Sequence, residues 1–170
     1  MIEIINSLAP FMEDNYARIN VREYARILKI SPPTASKQLQ CYLKEGLLKK
    51  EIDRQYYYFY ADRESKLFID LSRIYWKTKL EKSLFIKEID GIFLNAVVIL
   101  FGSLSKAEVK KESDIDIAIF SPTKKGFDVS KFEKKLNRKI QIFIFKDMNS
   151  VTNKELLNNI LNGYKVTGLW

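Results

Sequence analysis

Apolar residues along this chain keep two rhythms, a helical one through most of the first half and a strand-like one through the middle of the second. Val21, Tyr24, Ala25 and Leu28 fall three or four apart behind Asn20, and Asn20 with Glu23 has the form of a capping box. Ile30-Ser31-Pro32-Pro33 ends that helix and opens another, with Ser31 as N-cap and proline in the first turn. In the new helix Ala35, Leu39, Tyr42 and Leu43 face inward, Thr34, Ser36, Lys37, Gln38, Gln40 and Lys44 face outward, and Gly46 stops it. Residues 47–52 and 56–60 read as strands joined at Asp53-Arg54-Gln55. The run Tyr56-Tyr57-Tyr58-Phe59-Tyr60 is expected to pack its aromatics on the helix layer rather than to stack bases. Across residues 65–80, Leu67, Leu71, Ile74 and Tyr75 mark a helix that Phe68, Ile69 and Trp76 make apolar on more than one side. It reads as a connector, packed on the first domain and on its copy in a dimer, and residues 84–93 read as a further helix.

The second half opens with VVILFGSLSKAEVKKESDIDIAIF, residues 97–120: a buried strand, a Gly102-Ser103 turn, a short basic segment, and a second strand bearing Asp114 and Asp116. Beyond it SPTKKG is a loop, Asp128 to Glu133 opens a short helix, KIQIFIF at 139–145 is a third strand, and residues 154–164 form a last helix. Strands and helices in this order fit a small mixed α/β sheet. The fold class is α+β, with domains expected at 1–80 and 81–170 and a soft boundary near Leu80.

The two carboxylates carry the chemistry. A strand has a period of two, so Asp114 and Asp116 project from one face a short distance apart. Ionised carboxylates that close repel unless a cation lies between them. Hard oxygen ligands suit Mg²⁺, and a Gly-Ser turn nearby offers backbone N–H groups to a phosphate. The alternative is a hairpin-like connection in which Ser113 and Asp114 cap a turn and Asp116 faces solvent. Lys110 and Lys111 either touch phosphates or form a solvated basic loop, and Glu108, Glu112 and Asp128 have no spacing that places them at the site.

An apolar strand, Gly102-Ser103, a spacer, then Ser113-Asp114-x-Asp116 resembles the nucleotidyltransferase superfamily that includes DNA polymerase beta, and most closely its minimal nucleotidyltransferases. The resemblance implies a Mg²⁺-dependent site for a nucleotide triphosphate such as ATP. Gly102 and Ser103 would hold the nucleotide, and Asp114 and Asp116 would be catalytic and metal-binding. In that family the third strand carries another Asp, and here Gln141 stands in its place, on a side of the strand that looks buried beside Phe143 and Phe145. An amide is a poorer metal ligand than a carboxylate and a negligible base, so nucleotide and metal binding with weak or absent transfer is expected.

Helix, tight turn, helix and hairpin over residues 15–62 resemble the winged helix-turn-helix of archaeal and bacterial transcriptional regulators, through ILKISPPTASKQLQCYLKEGLLKK above all. The resemblance implies double-stranded DNA as a partner. Ser31, Thr34, Ser36, Lys37, Gln38 and Gln40 would meet phosphates and base edges, and Arg54 at the wing tip a minor groove or phosphate.

Composition narrows the field further. The net charge of +8 divides as +4 over residues 1–80 and +4 over 81–170, so basicity is spread along the chain and favours polyanions. There is no histidine, which removes Ser-His-Asp and Cys-His catalysis and most zinc sites. One cysteine, Cys41, excludes an internal disulfide and suits the cytoplasm. No run is long enough to span a bilayer, and MIEIINSLAP lacks the basic start of a signal peptide. The sequence therefore reads as a cytoplasmic, homodimeric DNA-binding regulator with a nucleotidyltransferase-fold domain. Its alternatives are an active, antitoxin-like nucleotidyltransferase that modifies a hydroxyl on a toxin-like protein or small molecule, and a degenerate fold kept for protein contacts.

Overall fold

A computed structural model describes residues 2–123 and 125–170, so Lys124 of the expected SPTKKG loop lies outside the described residues. The chain divides into two compact units. The first holds residues 1–75 and 107–111, the second residues 76–106 and 112–170.

In the first unit, helix α1 (Ile2–Glu13) precedes a two-residue strand β1 (Ile19–Asn20), helix α2 (Val21–Leu28) and helix α3 (Pro32–Lys44). Strands β2 (Leu48–Asp53) and β3 (Tyr56–Ala61) form an antiparallel hairpin, and β1 joins it in the order β1-β3-β2. The local chemistry is that of the sequence. Asn20 and Glu23 close a complete capping box on α2, Ser31 caps α3 with Pro32 and Pro33 in its first turn, and Gly46 follows α3 in the left-handed conformation. The hairpin turns on two residues, Arg54 and Gln55, with φ of 45° and 71°, which suits the twist of the strands beside it. Leu8, Phe11, Met12, Tyr24, Leu39, Leu47 and Phe59 are buried as its core.

Helix α4 (Lys66–Lys82) runs through the point where the chain passes from the first unit to the second. Its buried side is Phe68, Ser72, Tyr75, Trp76 and Leu80, whereas Leu67 is half exposed, so the stripe lies one residue over from the one expected. The aromatic bulk of Phe68 and Trp76 decides the buried face.

In the second unit, helix α5 (Phe85–Ile92) leads to β4 (Val97–Phe101), a one-turn helix α6 (Ser103–Lys106), β5 (Ile115–Phe120), helix α7 (Ser130–Leu136) and β6 (Ile140–Phe145). A 3₁₀ turn (Met148–Ser150), helix α8 (Lys154–Leu161) and β7 (Tyr164–Thr167) complete it. The sheet has the order β6-β5-β4-β7, with β5 parallel to β6 and β4 antiparallel to both its neighbours. On one face Val97, Ile99, Phe101, Ala118 and Phe120 pack with Val151 and Ile160, and Phe143, Phe145, Leu156 and Leu157 close on them. Val98, Leu100, Ile117 and Ile119, which alternate with these, are equally buried, so apolar cover lies on both faces of the two central strands. Among the described residues no helix is long and apolar enough to cross a membrane.

Candidate functional site

β4 delivers Gly102 and β5 delivers Asp116 to the same row of the sheet: Phe101 pairs with Asp116, and Asp116 pairs with Gln141 of β6. Asp114 precedes β5 by one residue, and its Oδ2 accepts a hydrogen bond from Gln141 Nε2 at 2.7 Å. The three side chains named from the sequence are thus brought together at one end of β5. The apolar rows behind them, Ile99–Ala118–Phe143 and Val97–Phe120–Phe145, make a dry floor.

Gly102 has φ of 69°, and a Cβ there would collide with Asp116 Oδ2. The carboxylate lies directly against the bare Cα of the turn. Gly102→Ala therefore strains the backbone and displaces Asp116, and should cost about 2 kcal/mol or more of stability, read from the midpoint of urea unfolding. Ser103 opens α6 half-buried, at a position whose backbone N–H has no helical partner. Ser105, one turn on, donates from Oγ to the Gly102 carbonyl at 2.9 Å and holds the turn closed.

Burial pushes the Asp116 carboxyl above its ordinary range, and the charge of Asp114 pushes it further in the same direction. Two like charges meet here, and the Gln141 amide supplies only a neutral donor. The donor set fits a hard divalent ion: two carboxylates and an amide whose other end is a carbonyl oxygen. Among the described residues there is no group of three or more His, Cys, Asp or Glu placed to hold a metal, so any ion here rests on the Asp pair with Gln141.

One expectation about this strand is overturned. Gln141 is exposed rather than facing a buried side, because β6 is the outer strand and the apolar cover of Phe143 and Phe145 ends before it. Sequence reasoning also missed Arg138. Its guanidinium donates to the Ser113 carbonyl at 2.7 Å and lies 5.0 Å from the centre of the Trp76 ring. It is buried and fixes the backbone immediately before Asp114. Nothing in the local pattern of RKIQI marks it; only the parallel pairing of β5 with β6 brings it there. Glu108 and Glu112 are exposed, and Asp128 accepts from Ser130 Oγ and its backbone N–H, hydrogen bonds that hold its carboxyl below the usual range.

Residues 87–166 match the family model described as polymerase beta, nucleotidyltransferase. Over this stretch the second half of the chain is similar to a nucleotidyltransferase domain. The match includes the Gly102 turn, both aspartates and Gln141, and it leaves residues 1–75 outside. Among curated proteins none matches the chain.

In the first unit the polar positions of α3 divide. Thr34, Lys37 and Gln40 are exposed, and Arg54 stands exposed at the turn of the hairpin. Ser31 Oγ and Thr34 Oγ1 bond each other at 2.8 Å as part of the helix cap. Gln38 does not face outward as expected: it is half-buried, and its Oε1 accepts from the Tyr24 hydroxyl at 3.2 Å, tying α3 to α2. Ser36 is half-buried too, on the flank of the inward stripe that Ala35 and Leu39 form. The tyrosine run also departs from expectation. Phe59 is buried, but Tyr56 and Tyr57 are more than half exposed, because they lie at the turn end of the hairpin, Tyr57 even though it shares a face with Phe59. Lys50 lies over Tyr57 and Arg18 over Tyr58, at 4.6 and 5.0 Å.

Proposed function

We propose that this protein is a DNA-binding regulator-like protein whose nucleotidyltransferase-fold domain binds a nucleotide triphosphate with Mg²⁺ and transfers its nucleotidyl group weakly or not at all. The single observation behind it is the Gln141 Nε2–Asp114 Oδ2 hydrogen bond beside an Asp116 seated on Gly102. The aspartates and the turn that would receive triphosphate are retained, and the position that would activate an acceptor hydroxyl is an amide.

Asp114 and Asp116 would hold the ion and Gly102-Ser103 would take phosphate oxygens. When bound, Mg²⁺ neutralises charge on the triphosphate and on the Asp pair. Transfer requires the acceptor oxygen to bond the α-phosphorus as the bond to pyrophosphate breaks, with the hydroxyl proton passing to a base. A Gln side chain takes no such proton. The exposed edge and intact Asp pair also favour a second reading, an active antitoxin-like transferase acting on a protein or small-molecule hydroxyl with a base supplied by the acceptor.

For the first unit, the order α1-β1-α2-α3-β2-β3 with a three-stranded sheet supports a winged helix-turn-helix on duplex DNA, and a homodimer would present two such units to two half-sites. Thr34, Lys37 and Gln40 on α3 and Arg54 on the wing, all exposed, would meet it, with Ser31, Ser36 and Gln38 supporting the helix. Filter binding of a mixed-sequence duplex tests this. Lys37→Ala with Arg54→Ala should weaken binding and lower the slope of log K against log salt by about 2, one for each phosphate left unneutralised. An unchanged slope removes DNA from the reading. Equilibrium dialysis of ATP with Mg²⁺ tests the other half: retention by the wild type and loss in Asp114→Ala/Asp116→Ala is expected, and equal retention refutes the site.

A further inference from the structure

The segment that joins the Gly102-Ser103 turn to the Asp114/Asp116 strand belongs to the first unit. Residues 107–111 group with residues 1–75, while the chain up to Lys106 and from Glu112 groups with the second unit. Its seat is built around Asn15. The Asn15 backbone N–H donates to the Val109 carbonyl at 2.8 Å, and the Val109 N–H donates to Asn15 Oδ1 at 2.6 Å. Asn15 Nδ2 completes the set by donating to the Phe11 carbonyl at 2.7 Å. Asn15 is 1% exposed, and Ala107 and Val109 are fully buried. Ala107 has φ of 54°, a left-handed conformation that alanine adopts only under constraint. Lys110 lies 5.5 Å from the centre of the Tyr16 ring.

A buried amide bonded reciprocally to one backbone residue is a register device, because any slip leaves polar atoms unpaired in the interior. Asn15 stands just before β1, where Ile19 and Asn20 pair with Phe59 and Tyr58 of the hairpin strand β3, and Asn20 caps α2. One seat therefore touches the backbone that leads to the wing and the helix pair on one side, and the backbone that leads to both halves of the nucleotide site on the other.

We propose that residues 107–111 couple the two ligand sites, so that a Mg²⁺-bound nucleoside triphosphate at Asp114/Asp116 tightens duplex DNA binding by the first unit. The proposal rests on the reading given under Proposed function and adds its regulation. Phosphate held at Ser103 and a cation held at Asp114 and Asp116 fix both ends of the segment. A segment with fixed ends has fewer conformations to lose when its middle seats on Asn15, so seat and occupied site stabilise each other. By linkage, DNA tightens nucleotide binding by the same factor.

Fluorescence anisotropy of a labelled mixed-sequence duplex tests this on the full chain. With Mg²⁺ and ATP the wild-type Kd for duplex should fall about fivefold, near the lower end of ordinary coupling. Asp114→Ala/Asp116→Ala should show no change, and Asn15→Ala should bind both ligands without the change. Hydrogen exchange on the wild type tests the same coupling with no variant that has to fold: duplex should slow exchange at Ser103 and residues 113–116, and Mg²⁺ with ATP should slow it at Val109. If both ligands bind and neither affinity nor exchange responds, the coupling is overturned and the parent reading stands. If the wild type binds no ATP or no duplex, the parent reading falls and the coupling with it.

Discussion

Gln141→Asp should raise nucleotidyl transfer by about a hundredfold, read as pyrophosphate released from ATP with Mg²⁺ as water or an added hydroxyl compound takes the nucleotidyl group. The expectation follows from one atom pair. Gln141 Nε2 donates to Asp114 Oδ2 at 2.7 Å across the parallel β5–β6 pairing, and Asp116 is the direct register partner of Gln141. An aspartate at 141 removes that donor and places a third carboxylate beside the pair. It supplies a base for the acceptor hydroxyl and another hard ligand. The same substitution sharpens repulsion in the ligand-free protein, where Asp116 is already held above its usual range by burial and by Asp114. The variant should thus melt lower than the wild type without Mg²⁺ and gain more from its addition. An unchanged rate would mean that a different group fills the role or that the fold transfers nothing.

The second large effect is thermal. Mg²⁺ with ATP at about a hundred times Kd should stabilise the wild type by about 2.7 kcal/mol, a shift of several degrees in Tm, and should leave Asp114→Ala/Asp116→Ala unmoved. The pH dependence of the ligand-free proteins separates this from general damage. A carboxyl whose folded pKa lies above its unfolded value binds more protons in the folded state. Its contribution to stability is complete below about pH 4 and is lost as pH rises through the raised value. Asp116 is in this class. At neutral pH the ligand-free double variant should therefore match or exceed the wild type in Tm, and near pH 3 the advantage should vanish. A variant that melts well below the wild type at pH 7 would show that the pair is a structural element and not a ligand site.

Much of the frame was legible because local chemistry and tertiary position agree. Asn20 with Glu23 and Ser31 with Pro32 announce the two helices that follow them, and the two-residue spacing of Asp114 and Asp116 brings both acids to one end of β5. Five elements escaped, among them the short helix α6 and the 3₁₀ turn at Met148–Ser150. Pro10 lies inside α1 and suppresses its helical signal, although α1 buries Leu8, Phe11 and Met12. β1 has two residues, too few for any period, and exists through its pairing with β3. β7 reads as the tail of α8 until Gly163 breaks the helix, at a place where a Cβ would meet Ile99 and the Leu100 carbonyl. The site was legible in its acids and its turn. Its support depends on non-local pairing, since Arg138 reaches Ser113 only because β6 runs parallel to β5. Within the first unit, Asn15 likewise meets Val109 across most of the sequence. The same lesson holds for Gln38, which helical spacing turns outward and the Tyr24 hydroxyl draws in.

The most direct measurement replaces Mg²⁺ by paramagnetic Mn²⁺ and follows the backbone amide spectrum of the full chain with ATP present. Relaxation broadening confined to Gly102, Ser103, residues 113–117 and Gln141, and absent from Asp114→Ala/Asp116→Ala, is the predicted result. Broadening centred elsewhere, or a spectrum that Mn²⁺ and ATP leave unaltered, would contradict a nucleotide–metal site at the aspartate pair.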